Sequence, residues 1–443
     1  MEHPELTVGI MNHDKIDFNL VGKFILTGTE EVLSGEQTVL IDGGKLRLSG
    51  SAFSAAELIL VPQDEYSAEF ELKDVTIGVN FHWEQKENQK FRGKLKLIVE
   101  NGTITAINVL PLEEYLISVI SSEMSANSSL DLLKAHAIIS RSWLLAQIEK
   151  QDQLSGSTDS YDSSFSNETE YIKWYDREDH ESFHVCADDH CQRYQGTTRS
   201  HNPNVVKAVN ETSGVVLSYN GKICDARFSK CCGGIAELFE NCWEPVNHPY
   251  LTAVVDNPEF PAGFEKDLTV EANALSWLKN SPEAFCNTTD EEVLKQVLND
   301  YDWSAKDFYR WTVEYSQQEL SDLLRRRSGF DFGEIIDLIP IERGTSGRLI
   351  KLKIIGTKKT IIVGKELEIR RWLSESHLYS SAFFVEKEKL HATIPQKFIL
   401  KGAGWGHGVG LCQIGAAVMG HKGYAFDEIL HHYFKNATLE KRY

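Results

Sequence analysis

The sequence predicts an α+β fold in which β-rich modules flank a helical segment. Short strand-like runs such as LTVGI and KLKLIVE, separated by Gly, Asn and Asp turns, extend from about residue 5 to 110. The hydrophobic period changes to that of helices between 111 and 150. Strand-like runs such as LIKLKIIG return after residue 330. Strands and helices therefore occupy different stretches of the chain, as in α+β proteins.

The chain of 443 residues can form two or three domains, because single hydrophobic cores stop growing near roughly 250–300 residues. Residues 1–105 read as a β-rich N-terminal module, and 106–256 as the first part of a core. Residues 257–330 are predicted to be a mostly helical insertion or subdomain. Residues 331–443 would complete the core with a glycine-rich segment and a final helix.

Composition excludes several function classes. A formal charge of −19 disfavours a generic nucleic-acid binder, since neutralising phosphates requires clustered Lys and Arg. No apolar run approaches the roughly 20 residues that span a bilayer, and the first residues lack a signal-peptide pattern. A trimmed exported form and a cytoplasmic protein both fit that start. Eight cysteines are too few for a disulfide scaffold of this length.

The segment PLEEYLISVISSEM carries the first candidate for chemistry. Four apolar residues lie at helical spacings before Glu123 and share its face: Leu112, Leu116, Val119 and Ile120. A carboxyl group there loses hydration and meets the negative end of the helix dipole, and both effects favour the protonated acid. General acid catalysis needs that form. Pairing of Glu123 with a buried Arg or Lys is the purely structural alternative.

The surroundings of this segment have simpler interpretations. Glu113 and Glu114 are expected on the solvated surface. Ser128 and Asp131 resemble a capping box that would start the second helix. The Ser- and Asp-rich stretch 151–170 is expected to be a mobile loop, either a lid or a solvated insertion.

Two long motifs resemble the SpoIID and LytB-type proteins. The first is PLEEYLISVISSEM followed by LKAHAIISRSWLLAQ, and the second is GAGWGHGVGLCQIGAAVMGHKGYAFDEILHHYF some 280 residues later. The segments ICDARFSKCCGG, NCWEP and ERGTSGRLIKLKI also look like the linking segments of that family. The resemblance covers roughly residues 105–443 and implies a SpoIID-like fold.

The resemblance also implies a reaction. Members cleave the β-1,4 bond between N-acetylmuramic acid and N-acetylglucosamine in glycan strands without stem peptides, and form a 1,6-anhydro sugar. Glu123 would be the single acid and base, and a cell-envelope or extracytoplasmic location is implied. LytB-type relatives suggest instead a non-catalytic wall-binding activator of a cell-wall amidase. A hydrolase with two carboxylates is a third possibility.

The glycine-rich segment Gly402–Gly410 cannot form a regular helix and lets the backbone approach a ligand closely. It lacks the Gly-Lys-Ser/Thr ending of a phosphate-binding loop. Trp405 could stack on a sugar ring, and His407 and Gln413 could hydrogen-bond to its substituents. Packing of Trp405 in the core is the alternative. Arg141, on the second predicted helix, could orient the glutamate or the substrate, or form a structural pair.

The segment DHESFHVCADDHCQRYQG concentrates imidazole and thiol side chains, namely His180, His184, Cys186, His190 and Cys191. Mixed nitrogen and sulfur ligands suit zinc. The resemblance assigns the ligands best to His180, Cys186 and Cys191, with His184 as the alternative first ligand. A structural zinc is favoured over a catalytic one, and a Cys186–Cys191 disulfide is the non-metal alternative.

Further along the chain, Cys231 and Cys232 are adjacent, which makes mutual pairing uncomfortable. Each is expected to pack or to find a distant partner. Cys412 stands where the family commonly has Ser.

Overall fold

The computed structural model describes most of the chain. The described residues are 4–78, 84–125, 128–154, 163–175, 180–188, 190–198, 202–298, 308–391 and 394–443.

Among these residues the strands, in chain order, are β1 (Glu5–His13), β2 (Lys15–Leu26), β3 (Val32–Asp42), β4 (Lys45–Leu48), β5 (Ser54–Ala55), β6 (Glu57–Pro62), β7 (Glu69–Ile77), β8 (Gln85–Phe91), β9 (Lys94–Glu100), β10 (Thr103–Pro111), β11 (Ser164–Ser166), β12 (Glu170–Lys173), β13 (Val185–Cys186), β14 (Val215–Tyr219), β15 (Lys222–Ile223), β16 (Phe228–Ser229), β17 (Arg310–Ser316), β18 (Ile335–Arg343), β19 (Leu349–Gly356), β20 (Thr360–Gly364), β21 (Phe383–His391), β22 (Ile394–Ala403), β23 (Leu411–Cys412) and β24 (Thr438–Lys441).

The helices, in chain order, are α1 (Leu112–Glu123), α2 (Leu130–Leu154), α3 (Pro203–Glu211), α4 (Glu271–Lys279), α5 (Glu291–Leu294), α6 (Gln317–Ser328), α7 (Glu366–Trp372), α8 (Gln413–His421) and α9 (Phe426–Tyr433). The described residues form several sheets together with these helices, which confirms the prediction of a β-rich α+β fold. None of the described helices is both long enough and apolar enough to cross a membrane.

The chain forms two compact units. The first contains residues 1–126, 179–215 and 441–443, and the second contains 127–178 and 216–440. The four-part division expected from the sequence stays a prediction.

The first unit is built on an eleven-stranded sheet with the order β13-β1-β10-β9-β6-β2-β3-β4-β5, in which β7 pairs with both β2 and β8. Its strands bury alternate residues, as β6 does with Leu58 and Leu60. The β9–β10 hairpin turns at Asn101 and Gly102, which both have positive φ, so the Asn-Gly pair fits the tight turn that joins antiparallel strands. This sheet forms the floor on which α1 lies.

Helix α1 follows β10 directly and confirms the apolar stripe. Leu112, Leu116, Val119 and Ile120 are all fully buried. The surface prediction for Glu113 is wrong. Its carboxylate is buried and accepts hydrogen bonds from the Gly214 N–H at 3.2 Å and the Tyr443 hydroxyl at 2.7 Å, both from distant parts of the first unit.

The second unit contains the five-stranded sheet β11-β12-β20-β19-β18 and the three-stranded sheet β17-β22-β21, with smaller sheets β15-β14-β24 and β16-β23. An apolar core that includes Trp372, Phe398 and Leu352 joins the two larger sheets. Helix α6 begins with a capping box between Ser316 and Glu319, which fixes its start.

Helix α2 begins one residue later than the capping prediction implies. The hydroxyl of Ser129, not of Ser128, accepts the hydrogen bond from the Leu132 N–H at 3.2 Å. Ser128 instead donates to the Gln296 carbonyl at 2.8 Å. The predicted loop 151–170 is only partly right: α2 continues to residue 154, strands begin at 164 and 170, and residues 155–162 lie outside the described residues.

Candidate functional site

Glu123 is the last residue of α1 and is half-buried. Among the described residues of the first unit, its carboxylate forms no hydrogen bond and no ion pair. The structural alternative, a buried Arg or Lys partner, therefore has no support within that unit. A half-buried carboxyl group without a partner at a helix C-terminus is free to exchange a proton with a ligand.

The segment that follows residue 179 in the first unit packs against α1. The ring of Tyr194 stacks on Tyr115 with 5.1 Å between ring centroids. The Tyr115 hydroxyl donates to the Gln192 side-chain oxygen at 3.4 Å, and the Gln195 N–H donates to the Ser118 hydroxyl at 3.2 Å. Burial raises the pKa of Tyr115 well above its ordinary value, so this phenol stays protonated and remains a donor. These contacts fix the helix that carries Glu123.

The structure brings His180, Cys186 and Cys191 together and adds His190 to them. The Sγ of Cys191 lies 3.6 Å from the His180 Nε2 and 3.5 Å from the His190 Nδ1. The Sγ of Cys186 lies 3.8 Å from the same His190 nitrogen. The four candidate ligand atoms all lie within 4.8 Å of one another.

These distances fit a tetrahedral metal site. Zn–S bonds of about 2.3 Å and Zn–N bonds of about 2.0–2.1 Å place neighbouring ligand atoms about 3.6 Å apart. Hydrogen bonds from Cys191, and then from His180 and His190, outweigh burial and lower the pKa of Cys186. The lower pKa favours the thiolate, which is the form that binds metals. Cys186 and Cys191 are both free thiols, so the structure does not contain the alternative disulfide.

The alternative ligand His184 lies elsewhere. Its Nδ1 accepts the Thr7 N–H at 3.1 Å, so the ring is turned toward β1. Strand β13, which contains Cys186, pairs in parallel with β1 at Gly9. A Cβ atom on Gly9 would lie 2.5 Å from the Phe183 ring, which stacks on His180. The absence of a side chain at Gly9 is what lets this segment lie flat on the sheet.

In the second unit, the glycine-rich segment turns through alternate residues with positive φ: Gly404, Gly406, Gly408 and Gly410. The Trp405 backbone exchanges two hydrogen bonds with Cys231. Its half-buried ring stacks on Phe308 with 4.7 Å between centroids and meets Tyr379 edge-on at 4.8 Å. Trp405 thus has core contacts and still has exposed surface.

His407 lies two residues further along and is half-buried. Its Nδ1 accepts the Val409 N–H at 3.0 Å, which fixes the ring orientation. Burial, and then the positive charge of Arg227, lower the pKa of His407 well below its ordinary value. The imidazole is therefore neutral near pH 7, with Nε2 carrying the proton as a hydrogen-bond donor.

A tryptophan–arginine cluster, formed by Trp143, Arg227, Phe239 and Trp243, lies beside His407. The Arg227 guanidinium stacks on Trp243 at 4.3 Å and forms two hydrogen bonds with Asp225, at 2.7 and 3.0 Å. Trp243 meets the His407 ring edge-on with 5.2 Å between centroids. Sequence reasoning did not single out this cluster, although NCWEP and ICDARF contain Trp243 and Arg227.

Two buried charged residues hold the glycine-rich segment, and neither was identified from the sequence. Arg348 donates to the carbonyls of Cys232 at 3.0 Å and Gly406 at 3.2 Å. The Glu237 backbone N–H donates to the Gly408 carbonyl at 2.8 Å. The Glu237 carboxylate accepts five hydrogen bonds, from Leu238 N, Asn241 Nδ2, Thr345 Oγ1, Ser346 N and Ser346 Oγ.

Arg141 and Gln413 both lie in the interior of the second unit. Arg141 is fully buried on α2, and its guanidinium donates to the Ala137 carbonyl at 3.5 Å. The Gln413 amide lies 3.2 Å from the Nε2 of His136, a buried residue that packs edge-on against Phe228. A direct contact of Arg141 or Gln413 with a substrate stays a prediction, and their burial favours a positioning role.

Comparison with known protein families gives two matches. Residues 100–219, which include Glu123 and the His/Cys cluster, match the family described as Stage II sporulation protein (SpoIID). Residues 237–410, which include Trp405 and His407, match one described as Domain of unknown function (DUF8618).

Curated relatives extend the similarity beyond those ranges. The chain is 27% identical over 254 residues to the amidase enhancer of Bacillus subtilis, which is 54% of this chain and 33% of that protein. It is 23% identical over 337 residues to stage II sporulation protein D of Bacillus subtilis, 76% of each chain. An uncharacterized protein of Brachyspira hyodysenteriae is 24% identical over 351 residues, 79% of this chain and 72% of that protein. This chain thus spans about one third of the amidase enhancer.

Proposed function

Because this chain belongs to the SpoIID family, we propose that it is a lytic transglycosylase that acts outside the cytoplasm on bacterial peptidoglycan. Its substrate is a glycan strand without stem peptides, and it cleaves the β-1,4 bond between N-acetylmuramic acid and N-acetylglucosamine. The observation that carries the proposal is the half-buried carboxyl group of Glu123 at the end of α1, which has no hydrogen-bond or ion-pair partner among the described residues of the first unit.

One carboxyl group suffices for this reaction. Glu123 first donates its proton to the glycosidic oxygen, so that N-acetylglucosamine leaves with a free hydroxyl. The C6 hydroxyl of the muramic residue then attacks C1, and Glu123 takes the proton from that hydroxyl. A 1,6-anhydro bond forms, the glycosidic bond breaks, no water is consumed, and Glu123 ends in its starting protonation state. Hydrolases that activate water use a second carboxylate.

Trp405, His407, Arg227 and Trp243, which are all only partly buried, are the proposed glycan contacts of the second unit. The buried Trp143 and Phe239 pack behind Arg227. A flat indole is suited to the apolar face of an acetylated sugar, and a neutral imidazole beside it is suited to the polar substituents. Arg141 and Gln413 support them from the interior. On this proposal, substitution of Trp405 weakens glycan affinity and leaves the anhydro character of any product unchanged.

We propose a structural zinc ion at His180, Cys186, His190 and Cys191. Four protein ligands close the coordination sphere, as in structural zinc sites. Cys191 precedes Gln192, which accepts the Tyr115 hydrogen bond, so the ion would stabilise the segment that holds α1. Zinc analysis of protein purified without chelators tests this assignment: the combined Cys186→Ser and Cys191→Ser substitution should lower the zinc content by one equivalent per chain, and an unchanged content would contradict the site.

The catalytic proposal is tested by digesting amidase-treated peptidoglycan and identifying the products by mass spectrometry. Wild-type protein is expected to release fragments with 1,6-anhydro ends, lighter by one water than hydrolysed fragments. Glu123→Gln should lower the rate by about 10²–10⁴-fold, the usual contribution of a general acid or base. Glu114→Gln, an exposed position on the same helix, is the matched control and should retain activity.

The similarity to a protein named amidase enhancer supports a second candidate, a non-catalytic wall-binding partner of a cell-wall amidase. On that alternative, the wild-type protein binds peptidoglycan and raises the rate of an added amidase without releasing anhydro ends. Fragments with free reducing ends would indicate a hydrolase with two carboxylates. Each of these three outcomes supports one of the three functions and argues against the other two.

A further inference from the structure

A second group of potential metal ligands lies in the interior of the second unit. Cys232 follows β16, Asp256 and Cys286 lie in loops, and Cys412 ends β23. All four are at most 3% exposed. Four separate stretches of the chain therefore direct a thiol or a carboxylate to one buried point.

The spacing of these groups corresponds to a single tetrahedral ion. One ligand atom from each of the four residues lies within 4.8 Å of all the others. The Sγ atoms of Cys232 and Cys286 are 3.7 Å apart. Zn–S bonds of about 2.3 Å at tetrahedral angles place two sulfurs about 3.8 Å apart, so the observed separation matches an edge of such a site.

Outer contacts orient the candidate ligands as in protein metal sites. The Asp256 Oδ2 accepts the Cys286 N–H at 2.8 Å, and its Oδ1 accepts the Tyr433 hydroxyl at 2.6 Å. The Cys412 Sγ accepts the Cys232 N–H at 3.2 Å. Each carboxylate oxygen keeps a further lone pair for a metal. Such hydrogen bonds to ligand atoms are characteristic of the outer shell of bound metals.

The other explanation for this group is a disulfide. Joining Cys232 to Cys286, and Cys412 to the neighbouring thiol of Cys231, would still leave the Asp256 carboxyl group buried beside the bridges without a role. Burying a carboxylate next to sulfur atoms is costly unless a cation compensates it or the group takes up a proton. A divalent ion with soft character accounts for all four groups together.

From this convergence we propose that Cys232, Asp256, Cys286 and Cys412 bind a second zinc ion with a purely structural role. The ion would join the turn at Cys232 to Cys412, which lies at the start of α8 and directly follows the glycine-rich segment. Cys231, adjacent to Cys232, pairs through its backbone with Trp405. The second ion therefore holds the backbone that presents Trp405 and His407, and its presence does not depend on any catalytic activity.

The test begins with the full chain carrying Cys186→Ser and Cys191→Ser, which removes the first site. After anaerobic purification and zinc reconstitution, we expect one zinc per chain by elemental analysis. X-ray absorption at the zinc edge should show three sulfur ligands and one oxygen ligand. Adding Cys286→Ser or Cys412→Ser should remove this zinc, whereas Cys224→Ser, a buried free cysteine outside the group, should retain it.

Absence of zinc from the reconstituted protein would overturn the proposal, as would a zinc spectrum without sulfur ligands. A Cys232–Cys286 disulfide found by peptide mapping of protein isolated without reductant would also overturn it. Because the absorption spectrum is measured with the second site intact, a folding defect in the Cys286 or Cys412 variants does not remove the test. If the protein does not cleave glycan, the zinc content and the absorption spectrum predicted here are unaffected, so the metal proposal and the catalytic proposal can fail separately.

Discussion

Replacing Glu237 with glutamine tests how strongly the glycine-rich segment is held. The fully buried carboxylate accepts three hydrogen bonds at Oε1 and two at Oε2, with lengths of 2.5–3.3 Å. A glutamine amide has one oxygen and one NH2 group. In its better orientation the NH2 group replaces Oε2 and donates to the Ser346 hydroxyl oxygen, which already accepts from Arg348. The Ser346 N–H and the Ser346 hydroxyl proton then both lose their acceptor.

The expected cost follows from these contacts. Each buried donor without a partner costs about 1–3 kcal/mol, and the remaining bonds lose their charge assistance. Burying an amide instead of a carboxylate offsets part of this loss. We expect Glu237→Gln to lower the free energy of unfolding by roughly 3 kcal/mol. Glu259→Gln, an exposed position in the same unit, should change it by less than about 0.5 kcal/mol.

Urea unfolding followed by tryptophan fluorescence measures the change in stability, and hydrogen exchange of residues 402–410 measures the local effect. We expect faster exchange in this segment for Glu237→Gln than for the Glu259 control. A Glu237 variant as stable as wild type, with unchanged exchange in the segment, would show that the five hydrogen bonds of the Glu237 carboxylate do not stabilise the segment through the Glu237 backbone.

Two further predictions concern the second unit. Gly408→Ala places a Cβ atom 2.4 Å from the Arg348 guanidinium carbon, at a backbone φ of 77°. We therefore expect the free energy of unfolding, measured in urea, to fall by about 2–3 kcal/mol. A decrease below about 0.5 kcal/mol would contradict the contact. Burial raises the pKa of Glu368, but hydrogen bonds from Arg371 and Tyr175 outweigh it and lower that pKa below its ordinary value. Glu368→Gln should therefore destabilise the protein by about 2–3 kcal/mol at pH 7. Thermal unfolding should show that the difference in stability between the wild type and the variant shrinks as the pH falls below about 4.5. A difference in stability that does not change with pH would contradict the lowered pKa.

Local patterns predicted the features that depend on neighbours in sequence. The apolar stripe of α1 and the position of Glu123 at its end follow from helical periodicity alone. The burial of Glu113 could not be predicted, because its partners Gly214 and Tyr443 lie about 100 and 330 residues away. The sequence distinguishes an exposed glutamate from a buried one only when the groups that compensate its charge are also known.

The candidate metal ligands show the same limit. Composition pointed to the segment in which four candidate ligands converge, but pairing of β13 with β1 turns His184 toward Thr7 and leaves His190 beside the two thiols. Glu237 is an acidic residue among apolar ones in GGIAELFE, and Arg348 ends GTSGR. A charged residue in such a setting is a signal that could have identified both.

The two compact units are interleaved along the chain, because residues 127–178 of the second unit precede residues 179–215 of the first. During translation, neither unit can finish folding as a simple N-terminal block. Strand β12 can pair with β20, through Glu170 and Ile362, only after β20 has been synthesised. Residues 441–443 can join the first unit only after the whole second unit has emerged from the ribosome. Such long-range pairing slows folding and leaves strand edges exposed in the nascent protein, so its biogenesis should depend on chaperones that shield those edges.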